Sequence, residues 1–133
     1  MTNQRILVVD DDPFMCALLG RYLRASGYEA VRTLSASAGL AVLRAPSPPR
    51  MVISDWMMPN MSGLEFCRTV RADASIPHVY FIIVSAMTEQ GCTAEALNAG
   101  ADHFLTKPVE YDQLLARLRI GQRIIEQETQ VGV

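Results

Sequence analysis

The sequence predicts an α/β domain: a doubly wound, five-stranded parallel sheet flanked by five helices. Five short apolar runs rich in β-branched residues recur along the chain, and stretches with helical spacing of apolar residues alternate with them. Three of the apolar runs are nearly continuous, which is typical of strands buried on both faces of a parallel sheet. Because strand and helix alternate five times, we expect right-handed strand–helix–strand crossovers with helices on both faces of the sheet.

Each predicted element has its own local evidence. Strands are predicted at residues 6–9, 30–33, 51–54, 79–84 and 103–105. The first helix begins after Asp12 and Pro13, a capping residue followed by a proline suited to the first helical position, and Gly27 follows its end. Further helices are predicted at residues 36–45, 63–72, 89–99 and 110–125, the third of these closed by Gly100.

The length of 133 residues and a composition that is 50% hydrophobic and 20% charged are those of one ordinary globular domain. We predict that this domain covers residues 1–126. The polar residues 127–133 continue the last helix, form a polar tail, or begin a linker to a missing output domain. No repeat or low-complexity segment interrupts the chain.

Charge and cysteine content exclude several classes of protein. The net charge of −2 provides no basic field for a polyanion, so direct nucleic-acid binding is not expected. No apolar run approaches membrane-spanning length and no signal peptide is recognisable, so no membrane association is expected. The three widely spaced cysteines, Cys16, Cys67 and Cys92, are expected to be buried thiols in a reducing compartment, and we predict a cytoplasmic protein.

Polar residues that could bind a ligand or react with one lie at the carboxyl ends of the predicted strands, where open α/β sheets bind ligands. They come from four separate stretches of sequence: Asp10 and Asp11 after the first strand, Asp55 after the third, Ser85 after the fourth and Lys107 after the fifth. Each of these residues alone could have an ordinary structural role, as a turn former, a helix cap or a solvated side chain. Their joint occurrence at successive strand ends favours one shared pocket.

Clustered carboxylates repel one another unless a cation lies between them. All candidate ligands are oxygens, so Mg²⁺ is favoured over zinc, with Mn²⁺ as a substitute. Such an ion could hold a phosphoryl donor against a carboxylate nucleophile. Lys107, the single lysine of the chain, could offset charge on the phosphoryl oxygens, and Ser85 could hydrogen-bond one of them.

Four segments carry a resemblance to a known family. They are ILVVDDDP at 6–13, VISDWMMPNMSG at 52–63, VSA at 84–86 and AGADHFLTKP at 99–108. In order, spacing and strand context they resemble the receiver domain of two-component response regulators, over residues 4 to about 125, and the segment around Asp55 is similar to that of chemotaxis response regulators. The resemblance implies a flavodoxin-like fold with strand order 2-1-3-4-5.

The resemblance also implies a role for individual residues. Asp55 matches the phosphoacceptor, Asp10 and Asp11 match the acidic pair that holds magnesium, Asp11 directly and Asp10 through water, and the Met57 backbone carbonyl matches a further metal ligand. Ser85 matches the hydroxyl residue that shifts toward the phosphoryl group, Lys107 the lysine that pairs with it, and Phe104 the aromatic rotamer switch. The bond between Lys107 and Pro108 matches one that is commonly cis.

The implied function is phosphoryl acceptance on Asp55 from a sensor histidine kinase or a histidine phosphotransfer protein. The phosphorylated domain would switch a surface formed by the fourth helix, the fifth strand and the fifth helix, toward an output domain, an effector protein or a second copy in a phosphorylation-dependent homodimer. The domain would assist its own phosphorylation and dephosphorylation and would not be a turnover enzyme. Residues 114–127 resemble the helix that leads receivers into cyclase or phosphatase output domains.

Two departures and two rival interpretations accompany this resemblance. Phe104 lacks the hydroxyl of a tyrosine, so a switch there must be steric, and Ser62 stands where an acidic residue is frequent.

One rival is a haloacid dehalogenase-type phosphatase with Asp10 as nucleophile, but no Thr or Val lies two residues after Asp12 and the chain is too short for a cap domain. The other rival, a degenerate receiver that only binds partners, is disfavoured by the complete set of acidic residues and the lysine.

Overall fold

The computed structural model describes residues 4–86 and 92–131, and for residues 129–131 it describes the backbone alone. Within these residues, five strands and five helices alternate, as the sequence predicts. They are β1 (Arg5–Val9), α1 (Pro13–Ala25), β2 (Glu29–Thr33), α2 (Ala36–Arg44), β3 (Met51–Asp55), α3 (Gly63–Ala72), β4 (Tyr80–Ser85), α4 (Cys92–Asn98), β5 (His103–Thr106) and α5 (Tyr111–Val131).

The five strands form one parallel sheet in the order β2-β1-β3-β4-β5, which confirms the predicted topology. The register aligns Ile6 of β1 with Ala30 of β2 on one side and with Met51 of β3 on the other. Every neighbouring pair is parallel, so all strands end at the same edge of the sheet. The residues that follow each strand are thereby brought to one side of the molecule.

Helices cover both faces of the sheet and produce two apolar clusters. Successive residues of a strand point to opposite faces, so Val52 of β3 packs on one side while Met51 and Ile53 pack on the other. The cluster that contains Val52 is completed by α2, α3 and α4, and we call it the α2–α4 cluster. The cluster that contains Ile53 is completed by α1 and α5, and we call it the α1/α5 cluster. Burial on both faces explains the continuous apolar sequences of the central strands.

The predicted helix signals are confirmed where α1 begins and ends. The Asp12 side chain accepts the Phe14 backbone N–H, with Pro13 in the first turn. After the helix, Gly27 adopts a φ of 87°, a left-handed conformation that glycine tolerates without steric cost. Asp12 is therefore a helix cap, as the sequence predicts.

The last helix is longer than predicted. The sequence places its end at residue 125, whereas α5 continues to Val131. Ile125 is buried, and Glu128 Oε1 lies 2.6 Å from His78 Nδ1 in the segment before β4, so the additional turn is held against the body of the domain. Residues 127–131 therefore continue the helix, while residues 132–133 lie outside the described residues.

Other predicted elements differ from the structure only at their ends. Four strands extend one residue beyond one predicted end, and β4 is shifted by one residue. The fourth helix is predicted at residues 89–99 and found at Cys92–Asn98, while residues 89–91 lie outside the described part. All three cysteines are free and buried, as predicted. Among the described residues, no helix is long and apolar enough to cross a membrane.

Candidate phosphorylation and metal site

The site lies at the carboxyl edge of the sheet, where the ends of four strands meet. Asp10 follows β1, Asp55 is the last residue of β3, Ser85 is the last residue of β4, and Lys107 follows β5. Because β1, β3 and β4 are neighbours in the sheet, their terminal residues are adjacent in space although they are far apart in sequence. The parallel topology therefore assembles the predicted pocket.

Three carboxylates form the acidic part of the pocket. One carboxylate oxygen from each of Asp10, Asp11 and Asp55 lies within 4.8 Å of the others. Asp10 is 2% exposed and Asp55 is 7% exposed, whereas Asp11 faces solvent. Burial raises the pKa of the Asp10 carboxyl and the pKa of the Asp55 carboxyl, because it penalises the charged form.

This set of donors fits a hard divalent cation. All three groups offer carboxylate oxygens, the ligands that Mg²⁺ and Mn²⁺ prefer, and the exposed Asp11 leaves one side of the cluster open to water or a further ligand. A cation between the carboxylates would also offset the repulsion and desolvation that raise the pKa values of Asp10 and Asp55. The residues present therefore suit the predicted magnesium site.

Lys107 joins the acidic cluster from the other side. Its Nζ lies 3.0 Å from Asp55 Oδ1 and 3.6 Å from Asp10 Oδ2. Burial alone would lower the pKa of Lys107, but hydrogen bonds and opposite charges from Asp55 and Asp10 outweigh this effect and raise the pKa. The bond between Lys107 and Pro108 is cis, as predicted, and the Lys107 backbone N–H donates to the Ser85 carbonyl at 2.8 Å. A permanent positive charge is thus fixed beside Asp55.

A match to a protein-family model identifies the family to which this chain belongs. The model of the response regulator receiver domain matches residues 6–119. This chain belongs to the response regulator receiver domain family. The receiver domain of two-component response regulators was also the family predicted from the sequence.

Two curated relatives give the degree of similarity. The DNA-binding response regulator MtrA of Mycolicibacterium smegmatis is 36% identical over 126 residues, covering 95% of this chain and 54% of MtrA. The transcriptional regulatory protein KdpE of Mycobacterium tuberculosis is 38% identical over 118 residues, covering 89% of this chain and 50% of KdpE. This receiver domain therefore spans about half the length of the curated relatives it matches.

Solved structures of receivers have the same fold. A response regulator receiver protein from Pseudomonas putida superposes with a TM-score of 0.81 at 29% identity, over 90% of this chain and 98% of that one. A CheY-like receiver domain protein from Methanospirillum hungatei gives a TM-score of 0.82 at 29% identity, over 97% of this chain and 99% of that one. Both comparisons extend across nearly the whole receiver.

The remaining predicted site residues lie in or directly after the last part of β3, β4 and β5. Ser85 is 1% exposed and pairs in register with Thr106 of the neighbouring strand. Met57 lies in the loop after β3 with an exposed side chain, and the role predicted for its carbonyl stays a prediction. Phe104 of β5 is half-buried, and its ring lies 5.8 Å from the ring of Trp56. The switch roles of Ser85 and Phe104 also stay predictions.

Gly63 is a site residue whose role sequence analysis missed. Its backbone N–H donates to the Trp56 carbonyl at 2.8 Å, and a Cβ at this position would lie 2.2 Å from the Asp55 carbonyl oxygen. Only glycine lets the start of α3 approach the chain that carries Asp55 so closely. A signal was present in the sequence, since a glycine in the first turn of a predicted helix has low helix propensity and calls for a reason.

Proposed function

We propose that this receiver accepts a phosphoryl group on Asp55 from a phosphohistidine of a sensor histidine kinase or histidine phosphotransfer protein, with the assistance of Mg²⁺. One observation carries the proposal: Lys107 Nζ lies 3.0 Å from a buried Asp55 carboxylate that shares its pocket with two further carboxylates. A nucleophile, a fixed positive charge and a set of oxygen ligands for a cation are the parts that phosphoryl transfer to a carboxylate requires.

The chemistry follows from these groups. An Asp55 carboxylate oxygen attacks phosphorus as the phosphorus–nitrogen bond of the phosphohistidine breaks, giving an aspartyl phosphate and a histidine that takes up a proton. Lys107 offsets negative charge on the transferred oxygens, and the Ser85 hydroxyl donates a hydrogen bond to one of them. Asp10, Asp11, Asp55 and the Met57 carbonyl would hold the ion. When bound, Mg²⁺ or Mn²⁺ supplies charge stabilisation for the phosphoryl oxygens.

The proposal assigns a signalling role rather than turnover of a substrate. The domain assists its own phosphorylation and the later hydrolysis of the acyl phosphate, and the added charge biases the face formed by α4, β5 and α5. That face would contact an output domain, an effector protein or a second copy of the chain. The names of the relatives, a DNA-binding response regulator and a transcriptional regulatory protein, favour a DNA-binding or transcriptional output in a longer protein, rather than the cyclase or phosphatase output suggested by residues 114–127. A cytoplasmic location belongs to the same proposal.

Intact-mass measurement after incubation with acetyl phosphate and Mg²⁺ tests the proposal. We expect the wild-type chain to gain the mass of one phosphoryl group, the Asp55→Asn variant to gain none, and the Asp112→Asn variant, altered at an exposed acid in the first turn of α5, to behave as wild type. A gain that persists in Asp55→Asn and disappears in Asp10→Asn would instead support the rival phosphatase. Against that rival, the Asp12 side chain is engaged as the cap of α1.

A further inference from the structure

Positive charge is concentrated at one end of the sheet. Residues 13–54 form α1, β2, α2 and most of β3, and their sequence contains a single acid, Glu29. The same segment contains five arginines: Arg21, Arg24, Arg32, Arg44 and Arg50. Because β2 is an edge strand of the sheet and both α1 and α2 contact it, a chain with a net charge of −2 presents a basic region beside β2.

The strand β2 has one edge without a partner among the described strands, since it pairs with β1 alone. The Glu29 N–H and the Thr33 carbonyl form hydrogen bonds of 2.9 and 3.2 Å with the residues that flank β1, so the odd-numbered residues of β2 direct their backbone groups to β1. Backbone direction alternates along a strand, so the N–H and C=O groups of Ala30 and Arg32 point away from β1. This open edge therefore offers two donors and two acceptors to a further strand.

A groove of about 360 Å³ runs along the open edge, lined by Ala30 and Arg32 of β2 and by Gly20 and Arg24 of α1. Gly20 has no side chain to fill the groove, and a Cβ there would lie 3.3 Å from Arg32 Cδ. Glu29 is the one acid among the described residues that line it. Both arginines are exposed, and neither forms an ion pair with any residue that the structure describes. Two guanidinium groups are therefore available beside the free backbone groups.

The side chains next to the open edge determine which residues an added strand should carry. Ala30 packs against the α1/α5 cluster and Val31 against the α2–α4 cluster, so Arg32 faces the same side as Ala30. An added strand would place every second side chain on the α1 side, where Arg24 and Arg32 attract carboxylates. Its other side chains would lie beside the partly buried Val31, where apolar groups are favoured. A segment in which acidic and apolar residues alternate meets both requirements.

We propose that the open edge of β2 binds an extended acidic segment of a partner protein, which adds to the sheet as a sixth strand and pairs its carboxylates with Arg24 and Arg32. Edge-to-edge pairing with a second copy of this chain is disfavoured, because it would bring the same arginines together. Nucleic acid would contact the guanidinium groups, but it has no strand of alternating donors and acceptors to pair with Ala30 and Arg32. These residues lie outside the acidic pocket, so the inference does not depend on the proposed function.

Amide hydrogen exchange of the unphosphorylated protein, followed by NMR, tests the proposal with a model peptide. The probe is a capped nine-residue peptide in which glutamate and valine alternate, and the same peptide with lysine in place of glutamate is its control. At a saturating concentration of the glutamate peptide, we expect exchange of the Ala30 and Arg32 N–H groups to slow by about fivefold or more, since each gains a hydrogen bond. The Val31 N–H faces β1 already and should not change.

Charge reversal locates the binding surface. Arg24→Glu and Arg32→Glu should each weaken binding of the glutamate peptide by about fivefold or more, because a repulsion replaces an attraction. Arg32→Lys, which keeps the charge, should retain most of the affinity. The matched control is Arg68→Glu, which makes the same change in charge at an exposed position of α3 and should bind the peptide as wild type does.

Backbone methylation of the peptide separates strand addition from simple attraction between charges. When every second peptide N–H is methylated, one of the two possible phases should lose binding, because its methyl groups replace the N–H groups that face β2, and the other phase should bind. Equal behaviour of the two phases, an equal effect of the lysine peptide, or unchanged exchange at Ala30 and Arg32 would overturn the proposal. Tighter binding of a single-stranded oligothymidylate, without slowed exchange at these two residues, would show a nucleic-acid site and would also overturn it.

Discussion

Asp10 and Asp55 carry the largest electrostatic cost in the site. Both are buried, and the pKa of each carboxyl is raised because burial disfavours the charged form. Lys107 offsets this cost only in part, since the pKa of Asp55 remains raised although the ammonium group lies 3.0 Å away. A divalent cation and a proton therefore compete for the same oxygens, and the raised pKa values let the proton compete from a higher pH than at exposed carboxylates.

Fluorescence of Trp56, the single tryptophan, provides a measure of this competition. We expect Mg²⁺ to change the emission saturably, because the ion would bind beside the residue that precedes Trp56. The apparent affinity should fall as the pH is lowered from neutral into the acidic range, since protonated Asp10 and Asp55 cannot serve as ligands and burial raises the pKa of each of these carboxyls. Raising the pH again should restore the affinity.

Substitutions of single acidic residues show which of them bind the ion that changes the Trp56 fluorescence. Asp11→Ala should weaken Mg²⁺ binding roughly tenfold or more, because it removes one carboxylate of the three. Asp112→Ala removes an exposed acid of α5 that is not part of the acidic cluster, and it should leave the titration unchanged. A titration curve for Asp11→Ala that coincides with the wild-type curve would remove the acidic pair from the metal site.

At the scale of elements, two glycines within helices have opposite surroundings. Gly121 of α5 lies against Tyr80, which is 3% exposed, and a Cβ on Gly121 would approach Cδ2 of that ring to 2.5 Å. Gly20 of α1 faces the flexible side chain of Arg32, and a Cβ there would lie 3.3 Å from Arg32 Cδ. The absence of a side chain at 121 is thus what lets α5 lie close to β4.

Substitution of each glycine by alanine distinguishes the two contacts. Alanine gains about 1 kcal/mol of helix propensity at either position. At position 121 overpacking against a buried ring outweighs this gain, and we expect Gly121→Ala to lower the free energy of unfolding by about 1–2 kcal/mol. Gly20→Ala should raise it by up to about 1 kcal/mol, since Arg32 can move aside. Urea denaturation measures both, and equal effects of the two substitutions would contradict the close approach at Tyr80.

The helices and strands also show which features of the fold could be predicted from nearby residues in the sequence. The strands and the residues at their ends could be predicted because continuous apolar runs and the aspartates that follow them are visible within a few residues. The residue at which α5 ends could not be predicted, because its last turn is held by the contact of Glu128 with His78, which is 50 residues away in the sequence. The role of Gly63 was missed for the same reason. Glycine is needed at this position because a Cβ would clash with the Asp55 carbonyl oxygen, which belongs to another segment.

At the scale of the whole molecule, the two faces of the sheet are built from different parts of the chain. The α2–α4 cluster draws its helical residues from the middle of the sequence, whereas the α1/α5 cluster joins the first helix to the last. Hydrogen bonds make the same connection: Ser26 Oγ lies 2.7 Å from Tyr111 Oη, and Tyr28 Oη donates to Gln122 Oε1 at 2.9 Å. These pairs are 85 and 94 residues apart in the sequence.

This division has a consequence for synthesis on the ribosome, which delivers the amino-terminal end first. The α2–α4 cluster can close once β5 has emerged, but the apolar side of α1 and the central strands stays uncovered until α5 follows. We therefore expect a chain that stops at residue 110 to bind the dye ANS more strongly than the chain of 133 residues. A separate peptide of residues 108–131 should abolish the excess, whereas the same peptide with Leu114→Asp and Leu118→Asp, both buried positions of α5, should not. If the shortened chain bound no excess dye, the α1/α5 cluster would not depend on the last helix, and a nascent chain would have no exposed apolar face for a chaperone to cover.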